Sequence, residues 1–263
     1  MKQKSMQEIL RFSIVNLDKP SGPTSFQVSQ HVKNCLNLNK TSHFGTLDPQ
    51  VTGVLPVALG RACRLSEYFM HKNKEYVGIM RLHENVPEEK LKKEISKFIG
   101  KIKQLPPVRS RVKRAVRERE IKFFEILEIN DKDILFKTEV QAGTYIRKLI
   151  HDLGENIGGA HMLELRRTKA GIFSEQDKNF VSLYDFEKAV QEYKKGNENE
   201  LRRILISAEI ALEKIMPKAE VSENSVKQLL TGKPLMKKDL SKLPNEEIFS
   251  VFHKEKLLVV YRK

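Results

Sequence analysis

One acid stands alone in the stretch His43-Phe44-Gly45-Thr46-Leu47-Asp48-Pro49-Gln50-Val51-Thr52-Gly53, in a chain where basic residues dominate. Gly45 and Gly53 flank Asp48, and Pro49 follows it directly, so turn-forming residues restrict it on both sides. A carboxylate held this way is either an Asx-type turn former or a reactive group, a nucleophile or a base. The stretch alone leaves both open. Several other engines drop out. Gly232-Lys233 runs into Pro234 and lacks the upstream glycine of a P-loop. Gly154-Glu155-Asn156-Ile157-Gly158-Gly159 lacks the dinucleotide-binding glycine pattern, and the histidine, glutamate and paired cysteines of a nucleobase deaminase are missing. Seven scattered histidines and two cysteines argue against a catalytic metal.

The elements around Asp48 follow from periodicity and punctuation. Ser13 to Lys19 reads as a strand entering the turn Pro20-Ser21-Gly22-Pro23. Thr24 or Ser25 then caps a helix with Val28, Val32, Cys35 and Leu36 at helical spacing. After the Asp48 loop, Val54–Leu59 reads as a buried strand, Arg61–Met70 as a short helix and Tyr76–Leu82 as a strand. Pro87 and two glutamates open another helix that ends at Gly100. Pro106-Pro107 forces an extended loop, and two strand-like stretches follow, Ile121–Ile129 and Asp133–Ala142. Gly143-Thr144 opens a helix carrying Ile146, Leu149, Ile150 and Leu153 inward. Residues 174–216 read as helical and charged, with Leu183, Phe186, Val190 and Tyr193 on one stripe. From Pro217 a small unit begins, with a helix near Ser222–Leu230 and strands at Ile248–Phe252 and Lys256–Tyr261. Irregular alternation of strands and helices predicts a mixed sheet flanked by helices rather than a doubly wound parallel one.

Charge points to the partner. The formal net charge is +14 in 263 residues, and Lys101–Lys122 alone holds nine basic residues against Glu118 and Glu120. Such clustering suits a polyanion, since each neutralised phosphate releases counterions. A solvated, lysine-rich surface is the alternative. Cys35 and Cys63 cannot build a disulfide framework, which suits a reducing compartment. No apolar run approaches membrane-spanning length and the N-terminus lacks a signal-peptide core, so a cytoplasmic protein is expected.

Motif order then supplies a resemblance. The segments Leu17-Asp18-Lys19-Pro20-Ser21-Gly22-Pro23-Thr24-Ser25, His43 to Pro49, Lys74-Glu75-Tyr76, Ala142 to Arg147 and Glu164-Leu165-Arg166-Arg167-Thr168 together resemble the TruB class of pseudouridine synthases. Val54–Leu59, Gln104–Arg114 and Gly159-Ala160-His161-Met162 make the chain most similar to the dyskerin-like catalytic subunit of archaeal H/ACA ribonucleoproteins. The likeness runs from about Asn16 to Phe173. It implies an α+β fold, the pseudouridine synthase fold, with a mixed, largely antiparallel sheet flanked by helices over residues 13–216. A small, shortened PUA-like β domain over residues 217–263 follows from it, completed in part by residues 1–12.

The implied reaction breaks the glycosidic bond of uridine, rotates the base and rejoins it through carbon 5. It is redox-neutral and needs neither cofactor nor metal. The resemblance places Asp48 as the catalytic carboxylate and Arg147 as the guanidinium that keeps it ionised within a closed pocket. Tyr76 becomes an aromatic plane for the flipped uracil, Leu165 an apolar wall beside it, and His43 a neighbour of the target nucleotide. Lys19 shapes the loop behind the site without a chemical step. Ser42 and Phe44 stand where this group usually has glycine and serine, so Phe44 is expected to alter how the nucleotide is wedged out. Arg109, Arg111, Lys113 and Arg114 are expected to hold RNA backbone.

Three functions remain in contention. The first is the guide-RNA-directed subunit, with guide RNA, substrate rRNA or tRNA and small accessory proteins of the H/ACA particle as partners. The second is a stand-alone synthase acting on the tRNA T-loop. The third is a non-catalytic RNA-binding scaffold, disfavoured because a scaffold has no chemical need for Asp48, Tyr76 and Arg147 together.

Overall fold

In the computed structural model, residues 4–107 and 113–263 are described. Helix α1 (Met6–Arg11), closed by a reciprocal Ser5–Glu8 capping box, leads into β1 (Ser13–Lys19). Thr24 caps α2 (Ser25–Cys35) through the same device with Gln27. Then come β2 (Thr41–His43), the Asp48 loop and β3 (Thr52–Leu59), a 3-10 turn at Gly60–Leu65, and the short α3 (Ser66–Met70). Strand β4 (Lys74–Leu82), α4 (Glu88–Ser96) and β5 (Gly100–Gln104) precede the basic segment; β6 (Arg117–Asn130) and β7 (Asp133–Val140) follow it. Asp131, at φ 52°, makes the turn between those two.

Helix α5 (Ile146–Glu155) buries Ile146, Leu149, Ile150 and Leu153, as its spacing predicts. Next are β8 (Ala160–Ala170), β9 (Phe173–Ser174), β10 (Phe180–Ser182), α6 (Leu183–Lys194), α7 (Asn199–Ile204), β11 (Leu205–Ser207) and α8 (Ala208–Glu213). The strands form a mixed sheet ordered β10-β1-β3-β8-β4-β7-β6-β5, with β2 beside β3, β9 beside β8 and β11 beside β1. The β1–β10 and β3–β8 pairs are parallel and the others antiparallel, so the sheet is mixed and largely antiparallel.

Strand β8 was not anticipated. Its sequence, AHMLELRRTKA, is rich in charge, yet it lies at the sheet's centre between β3 and β4. Burial of Arg167 and Thr168 explains why apolar patterning hides it. The β10 and β11 edges beside β1 also fall inside a region read as helical.

The small unit is a three-stranded sheet, β12 (Lys218–Glu220), β13 (Ile248–His253) and β14 (Lys256–Arg262), with α9 (Glu223–Leu230). Phe252 and Leu257 enter the same hydrophobic cluster as Phe44, Phe69 and Phe173, so this sheet packs directly on the larger body. Of residues 1–12, Met6 and Leu10 bury beside Leu17, Val28 and Leu55 of the larger body, while Phe12 packs on the cluster that also holds Phe252 and Leu257. Among the described residues, no helix is long and apolar enough to cross a membrane.

Candidate active site

The Asp48 loop is pinned in three ways. Leu47 and Val51 turn inward to a cluster with Tyr76, Ile146 and Leu149, leaving Thr46, Asp48, Pro49 and Gln50 outward. The Ser25 hydroxyl accepts from the Leu47 N–H at 2.8 Å and donates to the Leu47 carbonyl at 3.0 Å. Buried Lys19 donates at 2.8 Å to each of the carbonyls of Pro20, Pro49 and Val51. Burial holds the Lys19 ammonium below its ordinary pKa; Asp48 pulls it back up, and Arg167 adds to the depression. The bonds to Pro49 and Val51 tie the end of β1 to the backbone that follows Asp48.

Gly53 is required by close approach. It sits at φ +99°, and a Cβ there would stand 2.2 Å from the Arg167 carbonyl of β8. The parallel pairing of Gly53 with Arg167 therefore needs the glycine, and it fixes where the loop re-enters the sheet.

Asp48 and Arg147 meet. The guanidinium lies 2.8 Å from the carboxylate, delivered by the first turn of α5. The pair is open rather than sealed, with side chains 50% and 61% exposed respectively. A closed pocket was expected; in this structure one side of the pair faces solvent, leaving room for a large substrate.

Tyr76 is buried on β4, and the register of β4 and β8 slips between Glu75 and Tyr76. That bulge sets Tyr76 opposite Arg167, whose guanidinium lies beside the phenol. Leu165 pairs with Gly78 two residues along, so Leu165, Arg167 and Tyr76 share one face of the sheet. Gly78 has no side chain to displace the Leu165 methyl, which would stand 3.0 Å from a Cβ there.

Arg167 was missed as a site residue. It is 1% exposed and spans the site, donating to the carbonyls of Val54 at 2.8 Å and Gly45 at 3.1 Å. Its charge reaches two neighbours. The His43 imidazole is held below its usual pKa by burial first and by Arg167 second, which favours the neutral ring, and its Nδ1 has no hydrogen-bond partner among the described residues. Burial, with Arg167 again second, pushes the Lys74 ammonium down to about 7. Lys74 donates to the carbonyls of Met70 and Lys72 at the end of α3. Twin arginines in a charged strand read as surface residues; the register slip at Thr168, on the same strand, sets Arg167 opposite Tyr76.

Phe44 corrects an expectation. It does not face the nucleotide side of the loop: it is 1% exposed, stacked on Phe69 at 4.7 Å and 7°, with Phe173 at 5.9 Å. Its neighbour Ser42 accepts from the Ser66 hydroxyl at 3.2 Å. Phe44 thus serves packing beneath the loop. Lys113 and Arg114 are exposed at the foot of β6; Arg109 and Arg111 lie outside the described residues.

The site offers an oriented carboxylate, a guanidinium on it, a buried phenol and an apolar wall, all beside open space. Residues 33–90 match the TruB family pseudouridylate synthase N-terminal domain, and residues 147–213 match the tRNA pseudouridylate synthase B C-terminal domain. A protein of Methanopyrus kandleri named "Probable tRNA pseudouridine synthase B" is 46% identical over 232 residues, covering 88% of this chain and 68% of its own length. The solved Cbf5-Nop10-Gar1 complex aligns with a TM-score of 0.91 at 39% identity, covering 98% of this chain and 80% of the matched one. An H/ACA RNP bound to a substrate RNA containing 2'-deoxyuridine aligns at 0.88 and 36%, with the same coverage. On the identity shared along most of its length with these relatives, the chain belongs to the TruB family of pseudouridine synthases, enzymes that isomerise uridine to pseudouridine.

Proposed function

We propose that this chain is the catalytic subunit of a guide-RNA-directed pseudouridine synthase, isomerising uridines in rRNA and also in tRNA. Asp48 acts on the ribose, Arg147 holds its charge, Tyr76 and Leu165 receive the flipped base, and His43 lies beside the target nucleotide. One observation carries the reading: an open Asp48–Arg147 pair in a fold whose near-complete superposition is on the protein of the Cbf5-Nop10-Gar1 complex. A pair half-exposed in the free chain leaves room for a large RNA, and the basic residues Lys113 and Arg114 stand ready to hold its backbone.

Residues 13–216 form the catalytic domain and 217–263 a reduced PUA-like domain that grips RNA. Support for the latter is its separate three-stranded sheet docked through Phe252. Small accessory proteins complete the particle. The free thiols of Cys35 and Cys63 suit the reducing cytoplasm.

The relative's name favours a second reading, a stand-alone tRNA synthase. Pseudouridine formation separates the two, measured on tRNA and on a guide-paired target, with and without guide RNA and accessory proteins. Guide-dependent modification of the paired target is expected. Activity confined to tRNA and indifferent to guide establishes the second reading instead.

A further inference from the structure

The basic loop and the catalytic arginine are distant in sequence, yet one side chain ties the base of the loop to the backbone that carries Arg147. Gln104 ends β5, and its pairing with Arg117 of β6 is the last rung before the chain enters the loop. Gln104 is only 2% exposed. A buried primary amide needs partners for both its oxygen and its nitrogen. Gln104 spends both on one residue: Oε1 accepts from the Tyr145 N–H at 3.1 Å, and Nε2 donates to the Tyr145 carbonyl at 3.3 Å.

Tyr145 is the residue from which α5 starts. It has extended backbone, φ −92° and ψ 101°, and no side-chain capping bond secures the helix there. Its carbonyl also accepts the first helical bond, from the Leu149 N–H at 2.9 Å. Arg147 lies two residues further on, in that first turn, with its guanidinium 2.8 Å from Asp48. The angle at which the helix leaves Tyr145 therefore sets where the Arg147 side chain begins. The same segment touches the β5–β6 stem twice more. The Gln141 N–H donates to the Glu120 carbonyl at 2.8 Å, and a Cβ on Gly143 would meet the Arg119 guanidinium at 3.1 Å.

We propose that Gln104 is a positioning residue for the isomerisation: from the foot of the basic loop, its amide fixes the backbone that presents Arg147 to Asp48. A glutamine that merely stiffened a turn would alter stability. One that sets the arginine alters the rate of the chemical step, because a misplacement of about 1 Å at a reacting pair costs on the order of a hundredfold. The inference rests on Asp48 and Arg147 being the reacting pair, and the test separates the two ideas.

Single-turnover rates at saturating RNA are compared, on whichever uridine substrate the wild-type protein modifies, for Gln104→Met, Gln104→Glu, Arg147→Lys and the two double variants. Gln104→Met keeps length but removes both bonds. Gln104→Glu keeps the acceptor for the Tyr145 N–H. The expected result is a fall of about 10–100-fold for Gln104→Met and a smaller fall for Gln104→Glu, with RNA Kd within about threefold of wild type. In the Arg147→Lys background both substitutions at Gln104 lose most of their effect, the mark of residues acting as a unit. Should Gln104→Met not fold, Gln104→Glu and its double variant carry the same comparison. Unchanged rates for the folded Gln104 variants, or equal fold-losses with and without Arg147, overturn the proposal. An active Asp48→Asn control overturns the assignment of the reacting pair instead.

Discussion

The Arg147 guanidinium reaches the Asp48 carboxylate at 2.8 Å, yet half or more of each side chain faces solvent. An ion pair in that setting contributes about 0–1 kcal/mol to folding. On the proposed function its value lies in the reaction. Asp48→Asn is expected to lower turnover by at least about a hundredfold, the scale at which a positioned carboxylate acts. The melting temperature and RNA affinity should stay close to wild type. Calorimetry and a filter-binding titration alongside the pseudouridine assay check this; near-normal turnover would remove Asp48 from the mechanism.

Lys19 predicts the opposite combination. Its ammonium satisfies three loop carbonyls from a fully buried position. Lys19→Met leaves them without that donor, at about 1–3 kcal/mol for each that finds no replacement. Stability and turnover should fall together. A variant that melts like wild type but is inactive would assign Lys19 a chemical role after all.

Phe44 is a packing residue, and Phe44→Ala is expected to cost about 3–5 kcal/mol through the cavity it leaves. For a chain of this size each kcal/mol is about 2–4 °C in Tm. Denaturant titration measures the loss. An unaffected midpoint, with weakened substrate binding, would return Phe44 to the nucleotide side of the loop.

Lys74 supplies a pH dependence whose sign follows from linkage. Its folded pKa is about 7 against an ordinary 10.5, so between those values the unfolded chain holds a proton that the folded chain has released. Its contribution to stability therefore rises with pH across that window and is lost as pH falls toward 7. Lys74→Met should flatten the stability–pH curve between pH 7 and 10 relative to wild type. Parallel curves for the two proteins would refute the depressed pKa.

Neutralising Lys113 and Arg114 together should weaken RNA binding and reduce the slope of log K against log salt by roughly 0.7–0.9 for each phosphate left without its cation. An unchanged slope places the RNA elsewhere.

Much of the site was legible because its residues sit in turn-rich motifs whose order is informative. Asp48, Arg147, Tyr76 and Lys19 occupy such motifs, and β1 and α2 carry the expected boundary and cap. What stayed hidden depends on partners remote in the chain. Nothing local says that Phe44 will stack on Phe69 and Phe173. Nor does local pattern reveal Arg167, whose burial depends on Tyr76, Val54 and Gly45, all remote in the chain. The openness of the Asp48–Arg147 pair was likewise invisible, since neighbours far along the chain decide exposure.

The Asp48 loop is fastened to two separate hydrophobic clusters, through Phe44 on one side and through Leu47 and Val51 on the other. Lys19, Ser25 and Arg167 lock its backbone between them. On the proposed assignment of Asp48, the backbone that carries the reacting carboxylate is fixed before any RNA arrives. On that assignment the larger rearrangement falls on the RNA, which unstacks and extrudes its uridine toward a pre-set centre.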